Sequence, residues 1–79
     1  MKQLEERVEV VASFDQAGVH PLEFRYQGRK WPIKQVHRTW RNYALLDEES
    51  QCFVVETVRE RLVQLSFYPR QGYWLLDKL

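Results

Sequence analysis

Hydrophobic and polar residues alternate with a period of two along most of this chain. In one such stretch Leu22, Phe24 and Tyr26 alternate with Glu23 and Arg25. This period is typical of a β-strand that buries one face. Segments of this kind cover residues 7–14, 20–26, 51–58, 62–68 and 73–79, and a further one begins near residue 29. The pattern predicts an all-β fold of about six antiparallel strands. In the first two strands the residues expected to point inward are Val8, Val10, Ala12, Phe14, Leu22, Phe24 and Tyr26.

Short turn sequences separate these segments. Residues 15–18 and 69–72 each end in glycine, and Gln27-Gly28 is typical of a tight hairpin, because glycine accepts the positive φ that such turns require. We therefore expect two three-stranded meanders that form a small open barrel or a sandwich. Neither half is long enough to fold alone, so residues 1–79 are expected to be a single domain.

The third strand and the link that follows it are irregular. Pro32 has no amide donor, which restricts it to an edge strand or a bulge. The apolar phase slips after Ile33, which predicts a bulge near residues 34–35. Val36, Trp40 and Tyr43 have helical spacing, so this pattern allows one short helical turn in the central link. Residues 47–50 are then expected to be a polar connection.

Composition limits the class of protein further. Hydrophobic residues make up 44% of the 79 residues and aromatic residues 14%, which is too apolar for a disordered chain. We find no signal-peptide pattern, and no apolar run reaches the roughly 20 residues of a membrane span. The one cysteine excludes an intrachain disulfide. We expect a cytoplasmic protein with no membrane partner.

No arrangement of residues predicts catalysis or a cofactor. Zinc sites need about four ligands at defined spacings, whereas Cys52, His20 and His37 lie far apart. Cys52 is expected to be a small buried residue, since no base lies near it. Neither a glycine-rich phosphate loop nor a buried carboxylate pair is evident. We therefore expect a protein that is not an enzyme and that holds no cofactor and no metal.

Charge is the feature that stands out. The net charge is only +1, yet residues 24–43 hold six lysines and arginines and no acid. Aromatic residues lie between these cations, and such a strip on a curved sheet suits a phosphate backbone and unpaired bases. We predict that DNA or RNA binds the hairpin of residues 24–41. The candidate residues are Arg25, Arg29, Lys30, Lys34, His37, Arg38, Trp40 and Arg41.

Two other interpretations stay open. Charges on a hairpin often serve only to solubilise it and protect its edge, and Trp31 also suits the core. The domain is alternatively a protein-interaction or homo-oligomerisation module that uses the outer apolar face of the C-terminal strands. That interpretation depends on residues expected to remain outside, namely Val11, Val54, Leu62, Tyr68, Trp74 and Leu76.

The aromatic strand motifs resemble a family of short uncharacterised bacterial all-β proteins that are often encoded near translesion DNA polymerase genes. The resemblance spans nearly the whole chain, although residues 42–46 depart from the family's pattern. It implies a role near DNA repair or replication and carries over no catalytic residue. The matching motifs are Phe24-x-Tyr26-x-Gly28-x-x-Trp31-x-Ile33, Trp40-Arg41, Phe53-x-Val55-Glu56, Leu65-x-Phe67-Tyr68 and Gly72-x-Trp74-x-Leu76.

Overall fold

The structure is a computed structural model that describes residues 3–43 and 49–79, and these ranges form six β-strands and no helix. The strands are β1 (Gln3–Asp15), β2 (Gly18–Tyr26), β3 (Arg29–Tyr43), β4 (Glu49–Thr57), β5 (Leu62–Tyr68) and β6 (Tyr73–Lys78). Each strand pairs antiparallel with the next, and β6 pairs with β1. The predicted all-β, six-stranded architecture is confirmed, and the sheet closes into a small barrel rather than a sandwich.

Two long strands make this closure possible. Residues 3–8 of β1 pair with β6, and residues 9–15 pair with β2. In the same way residues 29–32 of β3 pair with β2, and residues 33–43 pair with β4. Each long strand therefore belongs to both halves of the barrel wall.

Two bulges bend β3 just after it changes partner. The register of β3 against β4 shifts between Ile33 and Gln35 and again between Val36 and Arg38. An extra residue on one strand bends it and increases its twist. The bulge predicted near residues 34–35 is thus confirmed, and it follows Pro32, the last β3 residue paired with β2.

The helical turn expected in the central link does not form among the described residues. Val36, Trp40 and Tyr43 all lie in β3, while residues 44–46 of the predicted turn lie outside the described ranges. The residues opposite buried Thr57, Val55 and Phe53 are spaced by three along β3, because each bulge adds one residue. The inward set is thus Ile33, Val36 and Thr39. Trp40 pairs with outward Cys52, so the helical spacing of Val36, Trp40 and Tyr43 does not mark one buried face.

The division into two meanders was also wrong. The segment at residues 33–43 pairs along its length with β4, so all six strands form one continuous meander. The polar connection expected at residues 47–50 is shorter, since Glu49 and Ser50 already belong to β4. Residues 47 and 48 lie outside the described ranges.

The barrel interior is filled by large apolar side chains. The fully or almost fully buried members are Phe24, Phe53, Val55, Val63, Leu65, Trp74 and Leu76. Trp31 stacks on Phe24, with ring centroids 5.8 Å apart and planes 7° apart. Trp31 thus belongs to the core, in agreement with the interpretation that the sequence left open.

Three expectations about side-chain direction and one about burial were wrong. Trp74 and Leu76, expected on the outer face, are 7% and 0% exposed inside the barrel. Leu22 is 50% exposed because a register shift between Val11 and Ala12 leaves it unpaired with β1. Phe14 is 62% exposed, although it packs edge-on against Phe67 at 5.7 Å.

We expect Leu65→Ala to lower the free energy of unfolding by about 2–5 kcal/mol, because it removes a completely buried side chain and leaves a cavity. The matched control is Leu22→Ala, which makes the same chemical change at a half-exposed bulge and should change stability by only about 0.5 kcal/mol. Urea unfolding of both variants measures the difference. Equal losses would contradict the assignment of Leu22 to the surface.

Candidate nucleic-acid interface

The cations of β3 lie on both faces of the strand. Directly paired residues share a face, and Lys30 pairs with Arg25 next to the inward pair of Trp31 and Phe24. Lys30 and Arg25 therefore point outward. Further along, Arg38 and Trp40 pair with outward residues of β4, whereas Arg41 pairs with Gln51 on the face that carries Phe53. The basic residues follow one strand, but Arg41 lies apart from the outer set. Arg29 does so too, because it pairs with Tyr26, which packs against the core.

Carboxylates from neighbouring strands contact four of the candidate residues. The Arg25 guanidinium lies 3.7 Å from Glu9, and that of Arg41 lies 3.3 Å from Glu49. Glu56 accepts two partners, Lys34 at 3.9 Å and His37 at 2.9 Å. Carboxylates from β1 and β4 thus neutralise part of the positive charge of residues 24–43, a segment that contains no acid of its own.

The contact with Glu56 explains the position of His37. This histidine lies in the second bulge of β3, between the register positions of Val36 and Arg38. Its hydrogen bond is the main cause of a lowered pKa of the Glu56 carboxyl. His37 is therefore a surface residue whose imidazole already has an acidic partner.

Three basic residues of the candidate set have no carboxylate partner in the described part of the chain. Among the described residues, no carboxylate lies within ion-pair distance of Arg29, Lys30 or Arg38. Arg38 instead places its guanidinium carbon 5.3 Å from the ring centroid of Trp40. An arginine over an indole ring forms a cation–π contact, and this pair lies on the outer face of the barrel.

A second polar cluster lies on the outer face and was not predicted. Asn42 donates to the Cys52 sulfur at 3.3 Å, and that sulfur lies 3.4 Å from the Ser66 hydroxyl. Ser66 in turn donates to Asp77. Cys52 is 2% exposed, which confirms that it is buried, but it faces outward, where the side chains around it cover it. The alternation of residues along one strand does not predict that Cys52 is covered, because the covering side chains come from other strands.

Asp77 is the titratable member of this polar cluster. Burial raises the pKa of its carboxyl, and nearby Glu5 raises it further, against the opposing hydrogen bonds from Ser66 and Gln64. A surface carboxylate behaves in the opposite way. Asp15 accepts hydrogen bonds from His20 and from the Ala17 amide, and its pKa is lowered.

The described residues show no metal-binding cluster and no membrane-crossing helix. No three His, Cys, Asp or Glu side chains come together in residues 3–43 and 49–79. In the same ranges we find no helix with the length and apolarity that a membrane span requires. The absence of a metal and of catalysis stays a prediction from the sequence.

These features define a small closed β-barrel with a partly neutralised basic strand on its surface. A comparison with family models, curated proteins and solved structures finds no match to this chain. The functional interpretation therefore depends on the residues themselves.

We expect Asp77→Asn to stabilise the protein near pH 7. The folded state binds the Asp77 proton more tightly than the unfolded chain does, so stability contributed by this group falls as the pH rises from about 3.8 through the higher folded pKa. Asparagine stays neutral and still accepts the Ser66 hydrogen bond. Urea unfolding should show a gain at about pH 7 that shrinks at about pH 4.

The control variant for this experiment should change the free energy of unfolding in the opposite direction. Because the pKa of Asp15 is lowered in the folded state, its contribution is lost as the pH falls through that folded value. Asp15→Asn should therefore destabilise the protein near neutral pH. A loss of stability in Asp77→Asn at neutral pH would contradict the assignment of Asp77 as a group with a raised pKa.

Proposed function

We propose that this domain is a non-enzymatic module that binds nucleic acid along the outer side of β3. The observation that carries the proposal is a pair of outward cations, Lys30 and Arg38, beside the outward indole of Trp40. Neither cation has a carboxylate partner among the described residues. Lys30 and Arg38 are eight positions apart, and two of the residues between them are bulge residues. About six extended steps of 3.3 Å therefore separate them, which is roughly 20 Å of strand. This length suits several phosphates of one backbone.

The paired cations also support binding. Arg25 and Lys34 are more than half exposed, and their ion-pair distances of 3.7 and 3.9 Å are long. Such exposed pairs contribute only about 0–1 kcal/mol. A phosphate that approaches β3 can therefore compete with Glu9 and Glu56 for these two side chains.

Aromatic groups on the same strand supply surfaces for bases. Trp40 lies under Arg38, and Tyr43, at the end of β3, is 74% exposed. A base that stacks on an aromatic ring gains about 1–3 kcal/mol. The family resemblance agrees with this proposal, since it implies a role near DNA repair or replication.

We expect the double variant Lys30→Glu/Arg38→Glu to bind DNA at least about tenfold more weakly than the unmodified domain, because it reverses two unopposed charges. The matched control is Arg70→Glu, on the exposed turn between β5 and β6, which should bind normally. The measurement is an amide chemical-shift titration with short single-stranded and duplex DNA at low and physiological salt.

Shifts confined to residues 24–43 and weakened by salt are the expected result. Equal losses in the double variant and in Arg70→Glu would show a non-specific response to net charge. The absence of any shift at low salt, where every phosphate-binding surface responds most strongly, would overturn the proposal.

We propose self-association as the alternative function, supported by exposed apolar residues near the start of β5. Val58 and Leu62 are 54% and 49% exposed on the two sides of the turn between β4 and β5. Neighbouring apolar residues on a surface are typical of a protein contact.

Sedimentation analysis separates this alternative from the first proposal. The expected result is a dimer whose population rises with concentration and is lost in Leu62→Lys. Leu22→Lys, with a similarly exposed leucine on β2, is the control and should leave the dimer intact. A monomer at all concentrations would exclude self-association.

A further inference from the structure

The second half of β3 has a neighbouring strand on one side only. Residues 29–32 of β3 pair with β2, whereas residues 33–43 pair with β4 alone. Among the described residues β3 contacts only these two strands. A strand with one neighbour leaves every second backbone N–H and C=O of its other side without a strand partner. The barrel wall is therefore continuous between β2 and β3 only at residues 29–32, and β3 is an open edge beyond them.

The open edge of β3 is accessible. A cavity of about 260 Å³ lies where β2 and β3 have separated, and its lining includes Val19 of β2 and Arg41 of β3. Residues 34–39 and 41–43 of β3 are exposed, and Trp40 is partly buried. No residue of the neighbouring strand β4 is exposed. Another chain can therefore reach β3 along its whole second half without displacing part of the described barrel.

The backbone of residues 38–43 is regular enough to pair with a further strand. These residues pair with residues 49–54 of β4 without a register shift. A proline and bulges normally prevent pairing at an edge, but in β3 they lie earlier, at Pro32 and between Ile33 and Arg38. An extended peptide adds to such an edge through main-chain hydrogen bonds, and its alternate side chains contact the two faces of the sheet.

The charge of the open edge favours an acidic occupant. Residues 33–43 include Lys34, Arg38 and Arg41 and no acid. Within the described residues Arg38 has no carboxylate partner, and Lys34 lies a long 3.9 Å from Glu56. A second copy of this edge would bring cations of like sign together, and like charges on adjacent strands are destabilising. An acidic segment of another protein brings the opposite charge.

The two faces of the open edge differ, and this difference indicates the residue pattern of the occupant. Arg38 lies on the outer face, where it pairs with Val54. Val36 and Tyr43 lie on the inner face and are 38% and 74% exposed. Alternate residues of an added strand lie on opposite faces. The edge therefore favours a segment in which acidic residues alternate with apolar ones.

We propose that an extended acidic segment of a partner protein adds to β3 at residues 38–43 as a further strand. Its backbone pairs with the open side of β3, its carboxylates lie beside Arg38, and its apolar side chains lie beside Tyr43. This site is the edge of β3, whereas the nucleic-acid surface proposed above is the outer face of the strand. The proposal does not depend on nucleic-acid binding.

The test uses the whole domain and a short acetylated peptide that alternates glutamate with valine. We expect the peptide to slow amide hydrogen exchange at alternate residues of 38–43, because every second N–H there points away from β4. Two further peptides carry N-methyl groups, one at each valine and the other at each glutamate, and keep the same charge. The peptide whose methyl groups face β3 should bind at least about tenfold more weakly than the other.

A pair of variants tests the position of the site. Arg38→Ala should weaken binding of the unmethylated peptide by at least about threefold, since it removes the cation beside the added strand. Arg70→Ala, on the exposed turn between β5 and β6, is the control and should not change the affinity.

Three results would overturn the proposal. Equal affinity of all three peptides would show charge attraction without strand pairing. Slow exchange at residues 38–43 that increases with protein concentration in the absence of peptide would identify a second copy of the chain as the occupant. Unchanged exchange at residues 38–43 with saturating peptide would show that no strand adds to this edge.

Discussion

The fold depends on the closure of one meander through the pairing of β1 with β6. An open six-stranded sheet of this size would leave backbone donors and acceptors unpaired at two edges. Closure removes that problem only if some strands can bend from one half of the wall to the other. In this chain β1 and β3 bend in this way, and a bulge after Ile33 adds a residue to β3 at the point where it changes partner. The interior and the outer charges follow from how these two strands bend.

The interior of so small a barrel is filled by aromatic residues. Phe53 and Phe67 both pack against Trp74, with centroids 5.6 and 4.7 Å away. Aromatic side chains bury roughly 150–250 Å² each, so a few of them fill the space that many aliphatic residues would otherwise need. The same row reaches the surface at Phe14, where β1 has left β6.

Closure also decides the electrostatics of the surface. In the sequence, residues 24–43 carry no acid, but antiparallel pairing brings β1 and β4 beside them. Glu9 and Glu56 then lie within 4 Å of basic side chains from β2 and β3. Within the described residues, the outward cations of β3 without a carboxylate partner are a smaller set, Lys30 and Arg38. The basic surface on β3 therefore contains fewer free cations than the six lysines and arginines of residues 24–43 suggest.

The sequence alone predicted the all-β class, six strands, the hairpin turns and the bulge near residue 34, because period-two alternation and turn residues are local properties. It did not predict that Val36 and Trp40 lie in a strand, since two bulges interrupt the alternation there and leave these two residues on opposite faces. The inward direction of Trp74 and the exposure of Leu22 also depended on the tertiary structure, because both faces of β6 are apolar and a register shift isolates Leu22. The ion pairs and the cover over Cys52 depended on pairing between strands that are distant in sequence.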